Sequence, residues 1–165
     1  MKIAVVDDSK FTRMVIKQIL NELSNTDFCW EAENGKVALE KNTRDPVDLI
    51  ISDLEMPVLD GLQLLKTVIV GEAKTKCLLI SAFHKSNQPK IIDALKAGAI
   101  GFIEKNSLGK GFDINSLKKE IDKHINFLTQ DNILKKEIRA TSLENNPSRS
   151  VVKNRADFIS IIGSA

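Results

Sequence analysis

The sequence predicts an α/β protein: a doubly wound, five-stranded parallel sheet with helices on both faces, followed by a C-terminal helical and linker extension. Three observations carry this. Five short apolar runs alternate with stretches whose apolar residues recur every three or four positions. The runs are continuously apolar, as in parallel strands covered on both faces. Four of the five end in polar or charged residues, which is how open α/β sheets furnish a site beyond the carboxyl ends of their strands. Right-handed crossovers then leave the doubly wound arrangement.

The first run is Ile3 to Val6. Ser9 is placed to cap the helix after it, whose stripe is Phe11, Met14, Val15, Gln18 and Ile19. Cys29 to Ala32 is a weak strand, and a short helix, Lys36 to Lys41, opens after Asn34-Gly35. "VDLIISDLEMP" gives a strand ending near Asp53 and a loop closed by Pro57 and Asp60-Gly61; Leu62, Leu65 and Ile69 form the next stripe. "CLLISAF" is the fourth strand, Ile91 to Ala97 a helix ended by Gly98, and "AIGFIEK" the fifth strand. After "NSLGKGFD", the stripe Leu117, Ile121, Ile125, Leu128 marks the fifth helix. "LTQDNILKKEIRA" continues that helix or adds another, with Leu128, Ile133, Leu134 and Ile138 as a weak stripe. "TSLENNPSRSVVKNRAD" reads as a polar linker, and "FISIIGSA" is a closing apolar run. The expected division is 1–127 for the sheet domain, 128–157 for the helical extension and linker, and 158–165 for the first strand of a further domain.

At 165 residues and 42% hydrophobic, the chain can build a core of its own. Its 24 Lys+Arg and 22 Asp+Glu give +2, with residues 1–126 in balance, so no strong field invites nucleic acid or a membrane surface. Cys29 and Cys77 lie outside any CxxC or Cys/His spacing and read as reduced core thiols of a cytoplasmic protein. No run approaches the ~18 apolar residues that would span a bilayer, and the N-terminus has no signal-type apolar segment. His84 and His124 have no partner at ligand spacing and read as surface residues; Lys118-Lys119 reads as a solvated face.

Asp7 and Asp8 follow the first strand, Asp53 ends the third, Ser81 the fourth and Lys105 the fifth. Three carboxylates at one sheet edge repel and raise one another's pKa, which asks for a cation. Oxygen ligands select a hard ion, and Mg²⁺ suits one or two carboxylates with waters and phosphate oxygens. A phosphoryl group bound there meets the Lys105 ammonium and the Ser81 hydroxyl, the charge stabilisation that phosphoryl transfer requires. A carboxylate in such a site can be the nucleophile, giving an aspartyl-phosphate, and Asp53 is the best placed.

"VDDS", "DLEMP" with "DG" after the Pro, "ISA" and "GAIGFIEK", in that order and spacing, resemble the receiver domain of two-component response regulators over residues 1–127. The resemblance implies a flavodoxin-like strand order, 2-1-3-4-5. It implies that Asp53 accepts a phosphoryl group from a histidine kinase, and that Asp7, Asp8 and Asp53 hold Mg²⁺ with the main-chain carbonyl of Glu55. Ser81 would be the switch hydroxyl, Lys105 the phosphate-pairing lysine and Phe102 the switch aromatic. The face of helix four, strand five and helix five would bind the effector. Family members usually follow the lysine with a cis-bonded Pro, where this chain has Asn106. A non-Pro cis bond costs about 2.5–4 kcal/mol, so the loop either runs trans or holds strain.

Two other classes fit less well. A phosphatase of the haloacid dehalogenase type also forms an aspartyl-phosphate but expects DxD after strand one, where this chain has "DDS". A flavodoxin-like FMN carrier wants a Ser/Thr/Gly-rich phosphate loop and aromatic walls; here the loop is acidic, aromatics are 5%, Tyr is absent and Trp30 is the one Trp.

Within the receiver family, "NSLGKGFDINSLKKEIDKHI" resembles the regulatory half of the chemotaxis protein-glutamate methylesterase. "FISIIGSA" resembles the first strand of its catalytic domain, where a Gly-x-Ser turn carries the nucleophile. Ser164 stands one residue before the place of that nucleophile, which Ala165 occupies, so no hydrolysis is assigned to Ser164. The expectation is a phosphorylation switch, itself not a classical enzyme, acting on an attached methylesterase domain; the alternative is a stand-alone regulator that binds a separate protein.

Overall fold

Each of the five apolar runs that alternate with helical stretches becomes a strand. The computed structural model describes residues 1–70, 75–82, 87–105 and 113–144. The strands are β1 (Lys2–Val6), β2 (Asp27–Ala32), β3 (Leu49–Ser52), β4 (Lys76–Ser81) and β5 (Gly101–Glu104). They alternate with α1 (Lys10–Glu22), α2 (Gly35–Arg44), α3 (Gly61–Val70), α4 (Gln88–Lys96) and α5 (Ile114–Glu144). All strand pairs are parallel, in the order β2-β1-β3-β4-β5, the doubly wound order expected. Met1–Phe127 forms one compact unit, and a second begins at Leu128. Helix α5 is continuous, so "LTQDNILKKEIRA" prolongs the fifth helix and adds no sixth.

Strand alternation divides the core. On one face Ala4, Val6, Trp30, Ala32 and Ile50 pack with Ala38 of α2 and Leu64 and Val68 of α3, while Cys77 and Leu79 pack with Leu65, Ile91 and Ala94. The intervening Ile3, Val5, Leu49, Ile51 and Leu78 are fully buried toward the other face; α1 packs against β1 and β2, and His124 of α5 lies over Gly101 of β5. A Lys118–Glu22 ion pair of 2.8 Å joins those two helices.

Two helices present a different face from the one expected. In α1, Val15 and Ile19 are buried, but Phe11 and Met14 are 57% and 58% exposed and Gln18 is exposed; Thr12, Ile16 and Leu20 complete the buried stripe. Apolar residues sit on more than one side of this helix, and packing rather than periodicity selects among them. In α3, Leu65 is buried, but Leu62 is half-buried, Ile69 lies at the edge, and Gly61, Leu64 and Val68 face inward. Gly61 sets that rotation: a Cβ there would lie 2.1 Å from the Asp53 carbonyl oxygen. Reciprocal bonds cap the same helix, Gln63 N donating to Asp60 Oδ1 at 2.9 Å and Asp60 N to Gln63 Oε1 at 3.1 Å.

Smaller differences are a β2 that begins at Asp27 with Cys29 half-buried, an α2 extended to Arg44, and His124, which is half-buried rather than superficial. His124 lies over Gly101, where a Cβ would come within 2.4 Å of its Nε2. Lys118 is half-buried through its pair with Glu22. His84, Asn106 with the rest of the "NSLGKGF" segment, the linker from 145, and "FISIIGSA" with Ser164 and Ala165 lie outside the described residues.

Candidate functional site

The site residues gather because the strands end in register. Val6 pairs with Ser52, so Asp7 and Asp53, the next residue of each strand, emerge side by side, and Asp53 N donates to Val6 O at 2.8 Å. Ser81 pairs with Glu104, which sets Lys105 one residue beyond β5. Oxygens of Asp7, Asp8 and Asp53 lie within 4.8 Å of one another. Lys105 Nζ bridges two of them, donating to Asp7 Oδ2 at 2.7 Å and to Asp53 Oδ2 at 2.5 Å. The remaining oxygens take backbone donors: Ser9 N reaches Asp7 Oδ1 at 2.9 Å, and Leu54 N and Glu55 N reach Asp53 Oδ1 at 2.7 and 3.4 Å.

Burial separates the members. Asp7 and Asp53 are buried, and Asp8 is exposed. Burial pushes the Asp7 carboxyl above the ordinary carboxylate range, although its hydrogen bond from Lys105 pulls the other way. For Lys105, burial lowers the ammonium, but the bonds and charges of Asp53 and then Asp7 together outweigh it, and the net shift is upward. Three carboxylates thus face one ammonium. This all-oxygen, net-negative donor set fits a hard divalent cation.

Ser81 is buried at the end of β4, next to β3. Phe102 is half-buried against the group formed by Leu79, Ile91 and Ala94. Glu55 is exposed in the loop that follows Asp53.

Residues 3–122 match the response regulator receiver domain family. The chain belongs to that family. It is 31% identical to the protein-glutamate methylesterase/protein-glutamine glutaminase 1 of Methanosarcina acetivorans, over 100% of this chain and 47% of that protein. With the chemotaxis protein CheY of Bacillus subtilis it shares 36% identity over 76% of this chain and 98% of CheY. The crystal structure of the response regulator domain of Thermotoga maritima CheB superposes with a TM-score of 0.67 at 31% identity, covering 76% of this chain and 93% of that one. The receiver thus resembles those of CheB and CheY. The chain spans between about a quarter and a half, 27% to 47%, of the length of the methylesterases it matches.

Two polar residues at this edge of the receiver escape sequence reasoning. Arg13 of α1 donates from Nη1 to the carbonyl oxygens of Asp7 at 2.7 Å and Asp8 at 3.4 Å. Asn87, buried at the start of α4, donates from Nδ2 to Ala82 O at 2.7 Å, directly after Ser81. A signal existed for Arg13: it stands one turn before Ile16, beside the buried stripe, where a charge needs a partner. Asn87 carried none.

Proposed function

We propose that the chain is a phosphoryl-accepting switch in which Asp53 takes the group from a phosphorylated histidine of a kinase. The observation that carries this is the bridge from Lys105 Nζ to Asp7 and Asp53 inside the three-carboxylate cluster. Asp7, Asp8 and Asp53, with the main-chain carbonyl of Glu55, would hold Mg²⁺, whose charge offsets that of the phosphoryl oxygens. Backbone amides hold Asp53 Oδ1, which leaves Oδ2, partnered among the described residues by the flexible Lys105 ammonium chain, as the attacking oxygen. The Oδ2–P bond forms, the P–N bond to the donor breaks, and the imidazole leaves with the bonding pair and takes up a proton. Lys105 then follows the negative charge onto the phosphoryl oxygens.

The output runs through Ser81, Phe102 and the face of α4, β5 and α5. Ser81 moves toward the new group and Phe102 shifts in its pocket against Ile91 and Ala94, altering a face on which Ile92 and Leu95 of α4 are 44% and 45% exposed. We assign its target as an attached methylesterase domain, supported by the whole-chain alignment with the Methanosarcina acetivorans enzyme. The second reading, a regulator that binds a separate protein, is supported by the near-complete coverage of CheY. The setting we propose is cytoplasmic, in keeping with two free thiols, Cys29 and Cys77. Among the described residues no helix is long and apolar enough to cross a membrane.

Incubating the protein with Mg²⁺ and a small phosphodonor should add the mass of one phosphoryl group, removable by hydroxylamine. Asp53→Asn should gain nothing. A gain of equal size in that variant would overturn the assignment.

A further inference from the structure

We propose that Arg13 is a positioning residue for the cation site: it sets the affinity for Mg²⁺ by clamping the main chain of the Asp7–Asp8 loop from behind. The inference rests on the cation reading above, but its observation is separate. Lys105 meets the cluster through carboxylate oxygens, whereas Arg13 addresses the two peptide carbonyls that carry Asp7 and Asp8.

The local sequence explains how it gets there. Ser9 caps α1, and Arg13 N donates to Ser9 O at 3.1 Å, so Arg13 lies one helical turn past the loop. Helical side chains lean toward the N-terminus, which carries the guanidinium back over the strand end. The loop needs such a hold. The β1 ladder ends where Asp7 N donates to Ala32 O at 3.1 Å, and Asp8 is exposed beyond it. Nη1 alone reaches both carbonyls, and a planar guanidinium held at Nε by Glu31 keeps that nitrogen aimed at them, which a lysine ammonium at the end of a flexible chain does less well.

The sign of the effect depends on which property of Arg13 dominates. A bare positive charge beside a cation site weakens cation binding, while a clamp that holds the ligand-bearing loop strengthens it. Glu31 of β2 decides between them. Its Oε1 accepts from Arg13 Nε at 3.4 Å, so it offsets the charge and holds the guanidinium at its Nε side; the Arg13 side chain is only 12% exposed. The clamp therefore ties β2, α1 and the loop together, and geometry outweighs repulsion. Partners that orient metal ligands without touching the metal cost about 10- to 100-fold in affinity when removed.

The test is Mg²⁺ titration by calorimetry on the full chain, wild type beside Arg13→Gln and Arg13→Lys, with circular dichroism to report folding. Arg13→Gln should bind Mg²⁺ about 10-fold more weakly, and Arg13→Lys, which keeps the charge but not the planar frame that Glu31 holds, should fall between. In the phosphodonor assay the half-saturating Mg²⁺ concentration should rise while the rate at saturating Mg²⁺ stays put, a split that a general loss of structure does not produce. Folded Arg13→Gln with wild-type or tighter affinity overturns the inference. Should Arg13→Gln fail to fold, Arg13→Lys decides: weakened binding supports the clamp and wild-type binding overturns it. A wild-type chain that takes up no Mg²⁺ overturns the cation reading itself, an outcome distinct from either.

Discussion

The two edges of the sheet bury polar groups in opposite ways. Where the strands begin, a closed ring of neutral bonds joins three segments: Asn42 Nδ2 donates to Thr75 Oγ1 at 3.2 Å, Thr75 Oγ1 to Val47 O at 2.8 Å, and Val47 N to Asn42 Oδ1 at 3.1 Å. The ion pair at that edge, Lys2–Asp45, is half exposed. Where the strands end, two carboxylates are buried against one ammonium, and a third stands beside them. A satisfied neutral ring fixes where α2, β3 and β4 meet at little electrostatic cost. Buried charge carries a desolvation cost that an apolar or neutral replacement would avoid. The second edge is therefore built for chemistry at the expense of stability, and breaking each edge should give a different signature.

The largest effect belongs to Lys105→Met, measured by urea unfolding with chelator present. Removing one partner of a buried pair leaves Asp7 and Asp53 uncompensated, at about 3–5 kcal/mol. The pH dependence has a definite sign. The Lys105 ammonium titrates above its ordinary 10.5 in the fold, so its contribution is complete below pH 10.5 and is lost as pH climbs through the folded value. The gap between wild type and variant should narrow in that range. Cys77, whose thiol burial pushes from 9.0 to about 12, makes both proteins less stable above pH 9 and cancels in the difference. A gap of the same size at every pH would refute the ion pair's role.

At the opposite edge, Asn42→Ala should cost about 1–3 kcal/mol, because the buried Val47 N–H loses its acceptor. Calorimetry should find Mg²⁺ affinity unchanged. Weakened Mg²⁺ binding in this variant would show that the edges are coupled and that the comparison fails.

Much of this contrast was legible in the sequence at one edge and little at the other. Parallel strands that end in register must deliver the residues after them to one place, so Asp7, Asp53, Ser81 and Lys105 could be grouped from the ends of apolar runs alone. The ring of Asn42, Thr75 and Val47 gave no sign, because Asn42 and Thr75 lie 33 residues apart and meet only through the packing of α2 on the sheet. Helix rotation was equally hidden. Phe11 and Met14 satisfy a helical period as well as Thr12 and Ile16 do, and the turn of α3 depends on the lack of a Cβ at Gly61, where one would collide with Asp53 O. Arg13 sits between these cases, a charge beside an apolar stripe whose partners are two backbone carbonyls and the Glu31 carboxylate.

The smallest effect sharpens the comparison through the backbone. Among the described residues each edge holds one non-glycine residue in the left-handed region, Asn25 at φ 67° before β2 and Val58 at φ 69° in the loop after Asp53. Asn tolerates this conformation because its short polar side chain bonds locally, whereas a β-branched residue crowds its own backbone there at roughly 1–2 kcal/mol. Val58 is 77% exposed, so no packing offsets that strain. Its neighbours over-determine the loop: Gly35 N donates to Leu59 O at 3.0 Å and Gly61 N to Leu54 O at 3.0 Å. Strain kept in place by such anchors is characteristic of functional loops. Val58→Asn should therefore raise the urea midpoint by about 1 kcal/mol equivalent at unchanged slope, and Asn25→Val should lower it by a similar amount. Equal shifts of the same sign at the two sites would mean that the strain is not particular to the edge that carries Asp53.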